Sequence, residues 1–188
     1  MYVPNVGLVV DQPIYDTIEL APTATAGQFF TVPFGGAIGA AVKDWNHTNL
    51  VQASRLEANY KFLIKGISFH VKEKATAVTP VDIHNFQEGW ARLIIGDTVV
   101  LTIQIQLAPN GGAELVETAA ATTAAATTLD NWTRGLSSIQ NYLPLAENPL
   151  ELSPQQTFRV DIGACGAMIA ASQFTCVLRG TLTRPIVG

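Results

Sequence analysis

The chain of 188 residues is poor in charge, because only 14% of its residues are charged whereas 48% are hydrophobic. Globular chains usually carry about 25% charged residues, so part of this surface is expected to be covered, most economically by other copies of the chain. The alternative is a solvent-exposed face built from uncharged Thr, Gln, Asn and Ser. The net charge is −4 and no run of Lys or Arg occurs, which argues against direct binding of nucleic acid through clustered cations.

Alternation of apolar and polar residues with a period of two predicts strands in the first third of the sequence. They cover residues 7–10, 14–20 and 28–34. In the last of them, Phe30, Val32 and Phe34 are predicted to face inward. Pro33 cannot donate to a strand ladder, which places this strand near a sheet edge or at a strand end.

Residues 37–57 show no clear period, and their length suits a crossover between two sheets, with room for a short helical turn. The longest strand signal follows at residues 60–72. Its apolar positions change from even to odd numbers at Gly66, and such a slip of one residue at a glycine is typical of a β-bulge. A bulge bends a strand and allows it to form part of a curved sheet.

The clearest hairpin signal consists of an apolar stretch at residues 91–95, a turn at Gly96 and Asp97, and an alternating strand at residues 98–107. A Gly-Asp pair between two strands suits a two-residue primed turn. One face of the second strand is apolar throughout and contains Val99, Leu101, Ile103, Ile105 and Leu107.

Residues 118–128 are nearly all Ala and Thr, and we interpret them as a surface loop or a thin strand, because β-branched threonines oppose a helix. Prolines exclude a long helix in residues 129–156, although residues 136–142 leave room for short helical turns.

Two alternating strands end the sequence. Their apolar faces contain Phe158, Val160 and Ile162 in the first, and Phe174, Cys176, Leu178 and Leu182 in the second.

About eight strand signals, with long loops and almost no helical periodicity, predict an all-β fold, an antiparallel sandwich forming one domain over residues 1–188. Long crossovers combined with one tight hairpin favour a single jelly roll over an up-and-down barrel. No apolar stretch reaches the ~20 residues of a membrane span, and residues 1–5 lack the features of a secretory signal. We therefore expect neither a transmembrane segment nor Sec export.

Motifs for catalysis, metals and cofactors are missing from the sequence. His47, His70 and His84 are far apart and follow no ligand spacing. Neither a Gly-x-Ser-x-Gly elbow nor a P-loop occurs. We therefore expect no enzyme activity, no catalytic residue, no metal and no cofactor. Cys176 lies on the apolar face of a strand and Cys165 in a loop, so we predict free thiols rather than a disulfide.

Tryptophan positions allow two interpretations. Tryptophans anchor protein interfaces and cores because they bury a large area with few rotatable bonds, whereas exposed ones on a sandwich also stack on sugar rings. For the tryptophans of this chain we favour a position in an interface or in the core over stacking on a sugar. The residues predicted to lie at contacts between subunits are Trp45, Asn49, Trp132 and Tyr142. Residues 37–57 and 118–128 are rich in small apolar residues, and we predict that these two segments also lie at contacts between subunits.

Three stretches carry a resemblance to a known family. They are residues 29–35 followed by Lys43 and residues 48–50; residues 62–69, a strand with a central Gly-Ile; and residues 152–160 leading to residues 177–185. In this order, and over most of the chain from residue 28 onward, they resemble small jelly-roll coat and capsid-associated proteins of bacteriophages and related archaeal viruses. The resemblance implies a structural role in the virion, and it supplies no active-site residue.

The expected function is therefore that of a viral capsid protein that self-assembles into capsomers of an icosahedral shell or decorates such a shell. Its partners would be copies of itself and other capsid proteins, in a virion whose proteins are made in the host cytoplasm. The chain is acidic and has no basic arm, and in this it differs from coat proteins that bind the genome directly. No direct contact with nucleic acid is therefore expected. The alternative is a ligand-binding sandwich, either a carbohydrate-binding or a phage receptor-binding module.

Overall fold

The computed structural model describes residues 7–72, 80–108, 142–145 and 149–185, together with the backbone of two short strands at residues 115–116 and 132–133. The predictions for residues 118–128 and 136–141 lie outside the described residues. Strands in antiparallel sheets dominate the described part of the chain, which confirms the prediction of an all-β fold.

The elements follow one another from β1 near the amino terminus to β14 near the carboxyl terminus. The strands are β1 (Leu8–Asp11), β2 (Ile14–Leu20), β3 (Gly27–Phe29), β4 (Ala37–Ile38), β5 (Ala41–Val42), β6 (Lys61–Lys72), β7 (Trp90–Ile95), β8 (Thr98–Gln104), β9 (Leu115–Val116), β10 (Trp132–Thr133), β11 (Leu143–Pro144), β12 (Leu150–Leu152), β13 (Phe158–Gly163) and β14 (Ser172–Arg184). A helix, α1 (Pro80–Gln87), precedes β7, and a 3-10 turn (Ile105–Leu107) follows β8.

Two sheets enclose one hydrophobic core. In the first sheet β14 lies between β6 and the pair β1 and β2, and the far edge of β6 pairs with β11 and β12. The second sheet has the order β3-β13-β7-β8. Side chains of both sheets meet in the core, where the rings of Phe29 and Phe69 are 5.9 Å apart. The apolar faces predicted for β13 and β14 are buried in this core.

The β6 strand contains the predicted bulge. Its register with β14 slips by one residue, because Arg179 pairs with Gly66 whereas Gly180 pairs with Ile64, leaving Lys65 without an opposite residue. The two strands approach closely here, since a Cβ atom on Gly180 would lie 2.0 Å from the carbonyl oxygen of Leu63. The prediction of a bulge at Gly66 is confirmed, and the pairing explains why a glycine lies opposite it.

Two predicted strands end earlier than the sequence pattern suggests. The strand predicted at residues 28–34 stops at Phe29, because Phe30 has a φ of 69° and its N–H donates to Asp16 Oδ2 at 2.6 Å instead of to a ladder. Phe30 is buried, but Phe34 is 40% exposed, so the predicted inward face is wrong at that position. Similarly β8 ends at Gln104, and the predicted apolar face is exposed at both ends, 49% at Val99 and 58% at Leu107.

The residues between β3 and β6 connect the second sheet to the first, as the prediction of a crossover requires. This connection contains the short β4–β5 ribbon and, at residues 44–48, a single helical turn in which the N–H groups of His47 and Thr48 both donate to the carbonyl oxygen of Asp44. The sequence left room for such a turn. Helix α1 was not predicted. It begins at a proline, the residue that best tolerates the first helical position, and the ring of its Phe86 stacks on Phe174 at 3.9 Å.

Both cysteines are buried as free thiols, as predicted. Burial raises the pKa of Cys165 to about 11 and raises the pKa of Cys176 well above the ordinary value of 9.0. Because the thiolate is the reactive form, a disulfide-exchange reagent near pH 8 is expected to leave both thiols of the native protein unmodified for hours and to modify both after denaturation. Rapid modification of one thiol in the native protein would contradict this expectation.

The pH dependence of stability is expected to reflect His70. This half-buried side chain in β6 lies with Nε2 3.2 Å from the Ser68 hydroxyl. Burial, and to a smaller extent the charge of Arg179, lowers the pKa of His70 below its ordinary value of 6.5. The unfolded chain therefore binds the proton first on acidification, so the unfolding free energy should fall as the pH falls through about 6.5.

Urea denaturation at a series of pH values measures this slope. His70→Gln should flatten it. An identical pH profile for wild type and His70→Gln would show that another group is responsible.

Candidate functional site

A cleft of about 410 Å³ lies at one end of the first sheet. Its walls come from three places: the connection from β1 to β2, the crossover before β6, and the end of β14. Antiparallel pairing of β1 and β2 with β14 brings residues from the two ends of the sequence together here. The functional side chains on the walls include Tyr15, Trp45, Arg55, Tyr60 and Arg184.

Trp45 is the exposed aromatic residue of this cleft, with 57% of its surface accessible. Its ring stacks on Phe34, with ring centres 4.3 Å apart and an angle of 28° between the planes. Its carbonyl oxygen accepts a hydrogen bond of 2.5 Å from the hydroxyl of Tyr15. The backbone and the ring are therefore held in place even though the side chain faces solvent.

Asn49 also lines the cleft, but its polar atoms are used within the chain. Its Oδ1 accepts from the N–H of Tyr15 at 3.0 Å, and its Nδ2 donates to the carbonyl oxygen of Pro13 at 2.8 Å. These two bonds fasten the crossover to the beginning of β2. In the structure Asn49 is thus a positioning residue for Tyr15 and for the cleft wall.

The other predicted interface residues are not at this cleft. Tyr142 precedes β11 on the opposite side of β6, and its ring occupies the space in which a side chain at Gly66 would lie. The side chain of Trp132 lies outside the described residues, although its backbone pairs with β9. The structure therefore brings together Trp45 and Asn49, and it places Tyr142 elsewhere.

Two arginines on the wall give the cleft positive charge. Arg184 donates from Nη2 to Gln12 Oε1, and its guanidinium lies 5.9 Å from the ring centre of Tyr60. Its Nε is buried and has no hydrogen-bond partner within the described part of the chain. Arg55 is exposed, and neither arginine forms an ion pair with a carboxylate of the described residues. The wall also contains one carboxylate, Glu57.

A buried ion pair links β2 to the crossover that forms one wall of the cleft. Asp16 and Lys43 are 0% and 2% exposed, and Nζ of Lys43 lies 2.6 Å from Oδ1 of Asp16. Lys43 also donates to the carbonyl oxygen of Val32 at 3.1 Å. Burial raises the pKa of Asp16 above its ordinary value, while the charge of Lys43 and the hydrogen bonds act in the opposite direction. The pair fixes the crossover to the sheet.

The sequence predicts Trp45 and Asn49 as contact residues between subunits, not as parts of a cleft, and it does not indicate the charged and phenolic side chains that lie beside them. Arg184 falls within the alternating strand at the end of the sequence, and Tyr15 and Tyr60 have no pattern around them that points to a site. Their proximity depends on the pairing of β2 and β6 with β14, which local periodicity does not reveal. For these residues the sequence contains no usable signal.

Within residues 7–72, 80–108, 142–145 and 149–185, no group of three or more potential metal ligands occurs. None of the helices described there is long and apolar enough to span a membrane. Comparison with known proteins found no protein family, no curated protein and no solved structure that matches this chain.

Proposed function

We propose that this chain is a structural protein of a viral capsid, a single jelly roll that binds copies of itself and other capsid proteins. The order of strand pairing is the observation that carries the jelly-roll part of the proposal. Eight strands form the two main sheets when β1 and β11 are counted as extensions, namely β2, β3, β6, β7, β8, β12, β13 and β14. Among them the first pairs with the last, the second with the seventh, the third with the sixth, and the fourth with the fifth.

This nested pairing is what results when one long hairpin rolls up into two sheets, which is the arrangement of a jelly roll. The fold alone does not specify a function, because jelly rolls occur in capsids, lectins and enzymes. The low charge of the chain and the resemblance to phage coat proteins favour the capsid among these possibilities. In that case the protein has no catalytic activity and resides in the virion.

Exposed apolar side chains on the crossover support contacts between subunits. Phe34 is 40% exposed, Val42 64%, Trp45 57% and Val51 50%. Phe34 stacks on Trp45, and the N–H of Phe34 donates to the carbonyl oxygen of Leu50, next to Val51. Neighbouring apolar groups that stay exposed in a monomer are typical of interaction sites. These residues all fall in the segment 34–51, most of which was predicted to lie at inter-subunit contacts.

Light scattering combined with negative-stain images of the same sample tests the proposal. Rings, capsomers or shells are expected for the wild type, and Val42→Lys should shift the mass toward the monomer because it places a charge among the apolar residues. Ile169→Lys is the control, since Ile169 is equally exposed but belongs to the loop before β14. A wild-type protein that stays monomeric and does not bind a preformed capsid would overturn the capsid function.

A second function, carbohydrate binding, is favoured by the position of Trp45. An exposed indole on the wall of a cleft can stack on a sugar ring, and the cleft volume of about 410 Å³ lies within the range of small-molecule sites. A glycan array should then give signals with the wild type that disappear in Trp45→Ala. Signals that persist in this variant would count against the site.

A further inference from the structure

We propose that the cleft beside Trp45 binds a saccharide that carries a carboxylate, with the sugar ring against Trp45 and the carboxylate near Arg55 and Arg184. This inference rests on the second function proposed above, carbohydrate binding, and it requires a Trp45 that is not covered by a neighbouring subunit. It assigns a chemical class of ligand to the cleft.

The aromatic part of the site is preorganised. Trp45 is held by stacking on Phe34 and by the hydrogen bond between the Tyr15 hydroxyl and its carbonyl oxygen, and Tyr15 is fixed in turn by Asn49. A side chain that is already ordered loses little entropy when a ligand binds. A solvent-exposed indole with this support is better suited to binding a ring than a freely rotating one.

Neither arginine of the site forms an ion pair with a carboxylate of the described residues. Arg184 contacts a neutral amide and the face of an aromatic ring, and its Nε has no acceptor among the described residues. Arg55 on the same cleft is exposed and forms no ion pair with the described part of the chain. Guanidinium groups pair with carboxylates through two parallel hydrogen bonds, and such charge-assisted bonds are stronger than neutral ones.

Glu57 limits the charge that the ligand can carry. Two arginines and one glutamate on the wall leave a net charge of one positive unit (2 − 1). A ligand with a single carboxylate matches this balance. The volume of about 410 Å³ is suitable for one or two sugar rings and small for a folded partner.

Nuclear magnetic resonance titration with two matched sugars tests the inference. Methyl β-glucuronide and methyl β-glucoside differ only in a carboxylate that replaces a hydroxymethyl group. We expect the glucuronide to shift the backbone amide signals of Tyr15 and Trp45, with a dissociation constant on the order of 1–10 mM, and the glucoside to bind about tenfold more weakly. Added salt should weaken binding of the glucuronide alone.

Three variants locate the binding site. Arg55→Gln should reduce glucuronide affinity about tenfold, down to that of the glucoside, and Trp45→Ala should abolish binding of both sugars. Arg92→Gln is the control, because Arg92 is also an exposed arginine beside a tryptophan, 4.2 Å from the ring centre of Trp90, but it lies on the second sheet. It should change neither affinity.

The outcomes separate this inference from the function on which it rests. The two sugars could bind equally well, with binding lost in Trp45→Ala but unchanged in Arg55→Gln. That result would support carbohydrate binding and overturn the inference that the ligand carries a carboxylate. Absence of shifts for both sugars at about 50 mM, well above the expected dissociation constant, would overturn both. Shifts that survive Trp45→Ala and Arg55→Gln would place the ligand elsewhere and would also overturn the proposed site.

Discussion

Replacing Asp16 with Ala is expected to lower the free energy of unfolding by about 3–5 kcal/mol, as is typical when one member of a buried ion pair is removed. The substitution leaves the ammonium group of Lys43 buried with the carbonyl oxygen of Val32 as its remaining partner. It also removes the acceptor of the Phe30 N–H, so two buried polar groups lose a partner at once. Urea denaturation followed by fluorescence measures the change.

The double variant Asp16→Leu/Lys43→Met should recover much of this loss, because an apolar pair of similar volume needs no desolvation of charge. The exposed pair of Lys61 and Glu151, with atoms 3.7 Å apart, is the matched control. Lys61→Gln is expected to change the unfolding free energy by less than about 1 kcal/mol. If Asp16→Ala lowered the free energy of unfolding by no more than Lys61→Gln does, the buried pair would not be what fixes the crossover to the sheet.

Replacing Phe86 with Ala is expected to lower the free energy of unfolding by about 3–5 kcal/mol. The ring of Phe86 is almost completely buried, stacks on Phe174 at 3.9 Å and meets the edge of Phe69 at 5.9 Å. Its removal opens a cavity between α1 and the first sheet, and the surrounding strands cannot close it without losing their own pairing. Denaturation curves in urea quantify the loss.

Phe34→Ala is the matched control for Phe86→Ala, because Phe34 also stacks on an aromatic ring but is 40% exposed. A loss of about 1 kcal/mol is expected, close to the value of one aromatic pair. Equal losses in the two variants would mean that α1 contributes no more to the core than the exposed crossover does.

The strands that sequence reasoning predicted best are those whose two faces differ most in environment. In β13 and β14 one face is buried in the core while the other stays partly exposed, so alternation alone identifies them. The bulge in β6 was predictable for the same reason, since a slip of one residue exchanges the two faces. These features are encoded locally, and a single sequence is enough to find them.

The elements that were missed depend on contacts between distant residues. The end of β3 is set by the carboxylate of Asp16, which holds the backbone of Phe30 in a conformation that its own sequence does not favour. Helix α1 has only eight residues, too few for a clear apolar stripe, and it is stabilised by packing on Phe174. The cleft likewise consists of residues that come together only after the sheet has formed.

The central position of β14 has a consequence for how the protein is made. This strand of 13 residues pairs with β1 and β2 on one side and with β6 on the other. A ribosome that has synthesised every earlier strand has still not supplied the element that joins them, so the first sheet cannot close during elongation. Such late, long-range pairing makes folding slow, and it leaves the edges of β2 and β6 open in every shortened chain. Chains that stop before β14 would therefore expose two unpaired strand edges, which invite pairing with the strands of other chains.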